Sequence, residues 1–501
     1  MLDLKKRIIS IEEVLILVLS VVIGVGFYGN YIQTHYSVDA YNNAMIKYED
    51  FPNLFFQEGR YTSYLVSKIL YMIGGIIPVK DQELVISLCI LIFSFTTLLT
   101  YIFIKRQIDI KPLIGKVILF LSICSLYFNP FFSDWYQFID VVICFSTGLF
   151  LAIIAGGIVG TKEKLDAKTI GLSIFILTLS LGAYQVLGAY YFIISLILVY
   201  INFTKRQDKR LMPYIVKIFI IGSIYGIAAI INVVVTKLIS MSSRAEIQIN
   251  VLKNIKQIIV EQPSIWVTNL GTMPKYVFIF TVMVFIVMLL TIIIKKDIKL
   301  LIPTVIIMTI IYVSIFIPHF MLKECWISHR TITALMGLPG IISIFILVTL
   351  NPNCDTNKKI LVGITALLIG ITLIFCIQTQ KVSIGLFKTN EIDKTEITFM
   401  IREIHTYEEH TGKVVSNISF TSDKYITYGY KGLVTSKDLN IRAMAKSWAR
   451  ASSIKFITGR EFNTVKMPDN IYNKYFKDKD WNKFDKDQIV IIEDTAYIAI
   501  Y

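Results

Sequence analysis

Apolar residues run in long blocks through the first 379 positions and only in short stretches after that. About 20 apolar residues in a helix cross a hydrocarbon core of roughly 30 Å, and a helix pairs its own backbone polar groups there. Blocks of this kind occupy residues near 12–31, 83–104, 112–128, 139–160, 169–183, 186–203, 213–239, 276–294, 300–317, 331–350 and 359–378. Each predicts a transmembrane helix. The run 62–78 differs, being interrupted by Ser63, Ser67, Lys68, Gly74 and Gly75 and ending at Pro78. With 40–57 it reads as amphipathic helix lying on the membrane surface. From residue 380 charges become frequent, 393–411 carries a helical pattern, and QIVIIEDTAYIAIY (488–501) reads as a hairpin about a Glu-Asp-Thr turn. The expected fold is an all-α polytopic membrane domain of eleven transmembrane helices (1–379) with a small α/β domain (380–501).

Charge orients these elements. If 62–78 stays in the interface, KRQIDIK (105–111), TKEKLDAK (161–168), KRQDKR (205–210), KKDIK (295–299) and NPNCDTNKK (351–359) share one side with KKR (5–7). The opposite short connectors, around 129–138 and 184–185, hold no Lys or Arg. Basic loops stay on the cytoplasmic side. A crossing at 62–78 would put KRQIDIK outside, so the interfacial reading is preferred. The chain is then expected to be a multi-pass protein of a bacterial cytoplasmic membrane, with its N-terminus inside. The first outside loop is 32–82, further outside segments are 240–275 and 318–330, and domain 380–501 is extracytoplasmic.

Composition agrees. The chain is 55% hydrophobic and 17% charged, against about 25% charged in soluble proteins. Its formal charge of +14 sits mostly in the connectors, where it sets orientation instead of recruiting nucleic acid. Cys89, Cys124, Cys144, Cys325, Cys354 and Cys376 form no CxxC pair, and most lie in apolar runs. Neither a disulfide framework nor a zinc site is expected. The first apolar stretch has no small-residue cleavage site after it and is expected to be a retained helix. Walker A, HExxH and GxSxG patterns are absent from the sequence. An enzyme built on this chain would draw an activated substrate from the membrane.

The polar groups worth weighing all fall on the outside. A charge at bilayer depth costs several kcal/mol, which makes such groups functional candidates. Asp39 suits a general base; its plain alternative is the N-cap of a helix over 40–47. Within Gln57-Glu58-Gly59-Arg60, the Arg60 fork suits a phosphate. The alternative there is a surface turn with an ion pair worth under ~1 kcal/mol. In Ser133-Asp134-Trp135-Tyr136-Gln137, a carboxylate flanked by aromatics suits a sugar. The interfacial aromatic belt also explains Trp135 and Tyr136, though not Asp134. Tyr184 and Gln185 mark a tight turn. Lys323, His329 and Arg330 suit a lipid phosphate, or snorkel to headgroups. Trp448 and Trp481 are compatible with sugar stacking, with core packing as the ordinary role. Carboxylates can hold Mg²⁺ or Mn²⁺, but nothing in the sequence requires a divalent cation.

The order of these features carries a resemblance. Span 1, an outside Asp, EGR (58–60) opening an amphipathic helix, an SDWYQ loop (133–137) and an LSLGAYQ turn (179–185) resemble the bacterial GtrII-type glucosyltransferase family. The likeness runs from about residue 10 to 350. It implies a GT-C fold and a hexosyltransferase, inverting in outcome. The implied donor is a polyprenyl-phosphate-linked hexose, typically glucose, and the acceptor a cell-surface or lipid-linked glycan on the outer face. The resemblance also implies an acidic base in the first outside loop, matched by Asp39, with Glu58 as the rival. Many relatives pair acidic residues there, whereas Asp39 stands between Val38 and Ala40. Arg60 matches the family's Gly-Arg pair and Asp134 a second acidic position. On this reading Arg60, Lys323, His329 and Arg330 hold the donor phosphate, while Asp134, Trp135, Tyr184 and Gln185 face sugar. The competing class is a flippase, transporter or polymerase of lipid-linked oligosaccharide. A flippase would carry ionisable groups at several depths, often with repeats; here Asp140 and Lys217 lie near span ends and no repeat is evident.

Overall fold

The computed structural model describes residues 10–47, 49–206, 210–239, 251–272, 277–295, 298–320, 325–350, 353, 357–422, 438–477, 479 and 484–500. In chain order the helices are α1 (Ile11–Tyr28), α2 (Ala40–Met45), α3 (Phe51–Gln57), α4 (Tyr61–Gly74), α5 (Gln82–Gln107) and α6 (Leu113–Tyr127). Then come α7 (Ser133–Gln137), α8 (Val142–Thr161), α9 (Ala167–Ala183), α10 (Gly188–Lys205), α11 (Met212–Ile239) and α12 (Val251–Thr268). The remainder are α13 (Val277–Ile294), α14 (Leu301–Phe320), α15 (Leu338–Leu350), α16 (Lys358–Thr411) and α17 (Ser447–Thr458). Among the described residues nine helical stretches are long and apolar enough to cross a membrane, and α9 and Phe278–Ile294 are shorter apolar helices. The chain is a helical, multi-pass membrane protein. Each apolar block of the sequence coincides with one of these helices.

Close packing explains the glycines of α8. Gly148, Gly156 and Gly160 lie on one face, and a Cβ at Gly156 would collide with Ile194 and come 2.7 Å from the Tyr191 carbonyl. Small residues at such spacing let helices approach where lipid offers no hydrophobic drive, so α8 packs tightly on α9 and α10. Gly340 of α15 does the same against the Ser122 carbonyl of α6.

The course of 29–81 follows from two contacts. At the start of α1, Ser10 closes a capping box with Glu13, and Glu12 meets the end of α5 through Lys105 at 2.6 Å. At the other end of α1, His35 and Gln82 exchange two backbone–amide hydrogen bonds of 2.9 Å. Helices α1 and α5 are therefore antiparallel neighbours, and the segment between them returns to the end from which it left. Helix α4 lies against α9: Tyr61 and Thr62 donate to the carbonyls of Thr178 and Leu179 at 2.7 and 2.6 Å, with the Tyr61 ring over Gly182. The Ser, Gly and Lys interruptions that set 62–78 apart belong to α4 and its Gly75 C-cap.

The expected domain boundary at 379/380 falls inside α16, which is 54 residues long, about 80 Å at 1.5 Å per residue. No proline breaks the stretch, and Val382, Leu386, Thr389, Asp393, Ile397, Met400 and Ile404 keep one face buried. The last apolar block and the C-terminal region thus share a helix instead of being joined by a linker. On its far half rests a sheet of order β2-β1-β4-β3, with β1 Asn417–Ser422, β2 Asn463–Thr464, β3 Ile489–Ile492 and β4 Thr495–Ile500. Strand β1 runs parallel to β2 and β4, whereas β3 and β4 form the expected antiparallel hairpin. Its turn places Glu493 at φ 55°. Ile397, Met400 and Ile404 pack with Ile418, Ile454 and Ile498 to form a separate small core.

Candidate functional site

The site gathers at the bundle end where α1 meets α2 and α7 meets α8. Val38 and Ala40 are buried, which leaves Asp39 between them facing outward. Asp39 stands at the N-cap of α2 but makes no capping hydrogen bond. It accepts instead from the Trp448 indole, Nε1–Oδ1 3.3 Å. Trp448 is 63% exposed, contrary to the core role that is ordinary for tryptophan, and the Lys446 ammonium lies 5.3 Å from its ring centroid.

Asp140 sits beneath this group. The apolar block 139–160 took it into a span; helix α8 begins at Val142 and leaves Asp140 in the preceding turn. It is 7% exposed. Asn43 of α2 donates to its Oδ2 at 3.1 Å, while Oδ1 has no hydrogen-bond partner among the described residues. Burial, followed by the charge of Asp39, pushes its carboxyl up to about 7; its own backbone amide opposes the rise, Glu58 adds to it and Arg60 opposes it.

Gly59, at φ 77°, makes the tight turn between α3 and α4, which lets Glu58 and Arg60 pair at 3.2 Å. The Arg60 guanidinium lies 5.8 Å from the Phe145 ring centroid. Phe145 stacks on half-buried Tyr184 at 4.3 Å, nearly parallel, and Gln185 beside it is exposed. Trp135, whose indole holds the Arg330 carbonyl at 2.9 Å, lies edge-on to Phe145 and Tyr184 at 5.4 and 6.4 Å, so Arg60 and Arg330 flank one aromatic cluster.

Arg330 is held by its own backbone. Its amide donates to Asp134 Oδ2 at 3.0 Å, and its carbonyl accepts from Trp135 Nε1 at 2.9 Å. Phe138 and Trp326 flank the guanidinium at 4.6 and 5.1 Å, and Asp438 pairs with it at 3.3 Å. Gln137 donates to Asp134 Oδ1 and to the Asp438 carbonyl at 3.0 and 2.8 Å, and accepts the Asn440 amide at 3.0 Å. A loop from the C-terminal region thereby completes the wall of the site. Burial pushes the Asp438 carboxyl up to about 6, against the pull of Arg330. No protein family, curated protein or solved structure matches this chain. The reading of the site rests on its geometry.

Asp39, Glu58, Arg60, Tyr184 and Arg330 come together. Asp134 and Trp135 come with them but are fully buried. Their polar atoms are engaged by the Arg330 main chain and Gln137, so they position Arg330 instead of meeting a sugar directly. His329 is buried edge-on to Phe131 at 5.0 Å between centroids, within the core. Lys323 and Trp481 lie outside the described residues. Asp140, Asp438 and the exposed placement of Trp448 went unassigned in the sequence. Asp140 had one legible signal, an ionisable residue at a span's edge. Asp438 had none, because its partner Arg330 is remote in sequence. Among the described residues no three His, Cys, Asp or Glu side chains cluster closely enough to hold a metal ion. The arrangement offers two guanidinium groups, each paired with a carboxylate, and an exposed carboxylate at Asp39.

Proposed function

We propose that this protein is a membrane hexosyltransferase of the GtrII type and GT-C architecture. It moves a hexose, in our reading glucose, from a polyprenyl-phosphate donor to a cell-surface or lipid-linked glycan, with inversion at the anomeric carbon. One observation carries the proposal: an exposed Asp39 shares an end of an apolar bundle with Arg60, set against Phe145, and with Arg330, held by Trp135, while both Phe145 and Trp135 pack on Tyr184. A departing phosphate needs fixed cationic donors aimed at its developing charge. A sugar hydroxyl, with a pKa far above 7, needs a positioned base, worth about 10²- to 10⁴-fold.

The roles follow from exposure. The acceptor hydroxyl oxygen bonds to the anomeric carbon as the carbon–oxygen bond to phosphate breaks. Asp39 takes the hydroxyl proton, and the prenyl phosphate leaves with the bonding electrons to Arg60 and Arg330. Glu58 is engaged by Arg60, which favours Asp39 as base. Tyr184 and Trp448 offer aromatic surface to the sugars. We place this end on the outer side of a bacterial cytoplasmic membrane, with eleven crossings and the C-terminal region outside. A flippase would require charged groups along the crossing, whereas Glu12 and Lys217 belong to the opposite end of the bundle, with Lys217 donating to the Gly160 and Lys162 carbonyls at the end of α8.

The test uses purified full-length protein in lipid vesicles with a labelled hexosyl prenyl phosphate and a lipid-linked glycan. The proposal expects label to pass to the glycan with wild type and not with Asp39→Asn. Transport of intact donor without transfer would sink it.

A further inference from the structure

Each guanidinium group of the site already holds a carboxylate, and both pairs are loose. Arg60 Nη1 lies 3.2 Å from Glu58 Oε2, and Arg330 Nη2 lies 3.3 Å from Asp438 Oδ2. The second is a contact of charge alone, because Asp438 Oδ2 has no hydrogen-bond partner among the described residues. Pairs of comparable exposure elsewhere are tight and hydrogen-bonded: Lys116 donates to Glu12, and Arg460 to Glu408, at 2.9 Å. Neither site cation depends on its carboxylate for its place. The Arg330 main chain is fixed by Asp134 and Trp135, and Phe138 and Trp326 flank its guanidinium. The Arg60 amide donates to the Phe55 carbonyl at 2.8 Å, and its carbonyl accepts from the Tyr64 amide at 3.0 Å. The carboxylates, in contrast, can give way. The Glu58 side chain is 39% exposed and can turn to solvent. The Asp438 carbonyl is tied to Gln137, so only its side chain need turn.

A partly buried guanidinium left without a counter-charge is costly, so a resting site needs one. A single contact at 3.2 or 3.3 Å supplies the charge without filling the N–H fork. A phosphate offers several acceptor oxygens and meets the fork through parallel hydrogen bonds, which are shorter and stronger. We propose that Glu58 and Asp438 are exchangeable counter-ions that hold Arg60 and Arg330 until the phosphate of a prenyl phosphate takes their place. Each carboxylate marks a phosphate seat and competes for it. The two are opponents of headgroup binding, not parts of its seat. When the prenyl phosphate departs after transfer, the carboxylates return to the guanidinium groups and help to release it. The inference rests on the phosphate reading of the proposed transferase, but it is read from binding, without turnover.

The experiment measures equilibrium binding of a radiolabelled polyprenyl phosphate to the full-length protein in phosphatidylcholine nanodiscs, with inorganic phosphate as a second probe. Glu58→Gln and Asp438→Asn remove the competing charge and keep the shape of the side chain. Each is expected to bind prenyl phosphate about fivefold more tightly than wild type, the effect of losing one competing ion pair. Arg60→Gln and Arg330→Gln are expected to bind it about tenfold more weakly, through loss of charge-assisted hydrogen bonds. Tightening with both probes assigns the exchange to the phosphate group itself, and tightening with prenyl phosphate alone assigns it to the lipid headgroup. Weaker or unchanged binding in Glu58→Gln, or in folded Asp438→Asn, would overturn the exchange at that arginine. Glu58→Gln alters an exposed residue and keeps the inference testable if Asp438→Asn folds poorly. Arginine variants that bind like wild type would remove the phosphate seats, and the inference with them. Wild-type protein that binds prenyl phosphate but moves no sugar would overturn the transferase reading alone.

Discussion

At one end of the bundle Glu12 gives one carboxylate oxygen to Lys105 and Tyr101 and the other to Lys116, all within 2.9 Å. At the other end, five acidic groups (Asp39, Glu58, Asp134, Asp140 and Asp438) surround two guanidinium groups. There one Asp140 oxygen has no side-chain hydrogen-bond partner among the described residues, and Asp39 takes an indole at 3.3 Å. Both clusters tie distant segments together, and both would read as polar residues flanking apolar runs. The first is closed: each charge has its partner, as expected of groups that lock helix ends. The second is open, with exposed carboxylate and aromatic surface and a buried acid held near neutral pH. Unspent capacity for hydrogen bonds and charge separates the second cluster from the first.

Several substitutions break or sharpen this contrast. The largest effect is expected for Arg330→Gln, which removes a cation fixed by Asp134 and Trp135. Transfer should fall about 10²- to 10³-fold, as when one preorganised donor to developing charge is lost, measured with labelled donor in vesicles. Asp39→Asn should cost about 10²-fold or more in the same assay while leaving the unfolding midpoint near wild type. At the closed end the pattern should invert. Glu12→Gln should lower stability by about 2 kcal/mol, through loss of charge-assisted hydrogen bonds, in a thermal or denaturant titration, with transfer per folded molecule unchanged.

Asp140 sharpens the contrast through pH. Its carboxyl is raised from the ordinary range near 4 to about 7, so the stability it contributes is present below pH ~4 and lost as pH rises toward 7. Asp140→Asn should remove that decline, which denaturant titrations across this window will read. Smallest is Trp448→Phe, which deletes only the indole donor to Asp39 and should change stability by no more than about 1 kcal/mol.

The apolar blocks and the hairpin were legible in the sequence because their periodicities are local. The run 62–78 was set apart by its polar interruptions, and it holds the 14-residue helix α4. The site was legible only where one residue type stood out from its surroundings, as with Asp39, Arg60 and Arg330. Asp134 and Trp135 were read as sugar ligands because a carboxylate beside an aromatic is chemically suggestive. Their burial under the Arg330 main chain depends on α7 packing against residues 326–330, which no local pattern encodes. The continuity of α16 was missed for the opposite reason. Hydropathy drops sharply near residue 380, yet the helical stripe continues from Val382 to Ile404, so solvent changed along the helix while its backbone did not.

The contrast between the ends is tested most directly by mass spectrometry of surface glycan from a deletion strain that carries wild type, Asp39→Asn or Glu12→Gln at matched folded abundance. A side-branch hexose restored by wild type and Glu12→Gln but not by Asp39→Asn is the expected result. Restoration by Asp39→Asn, or failure of all three to change the glycan, would contradict it.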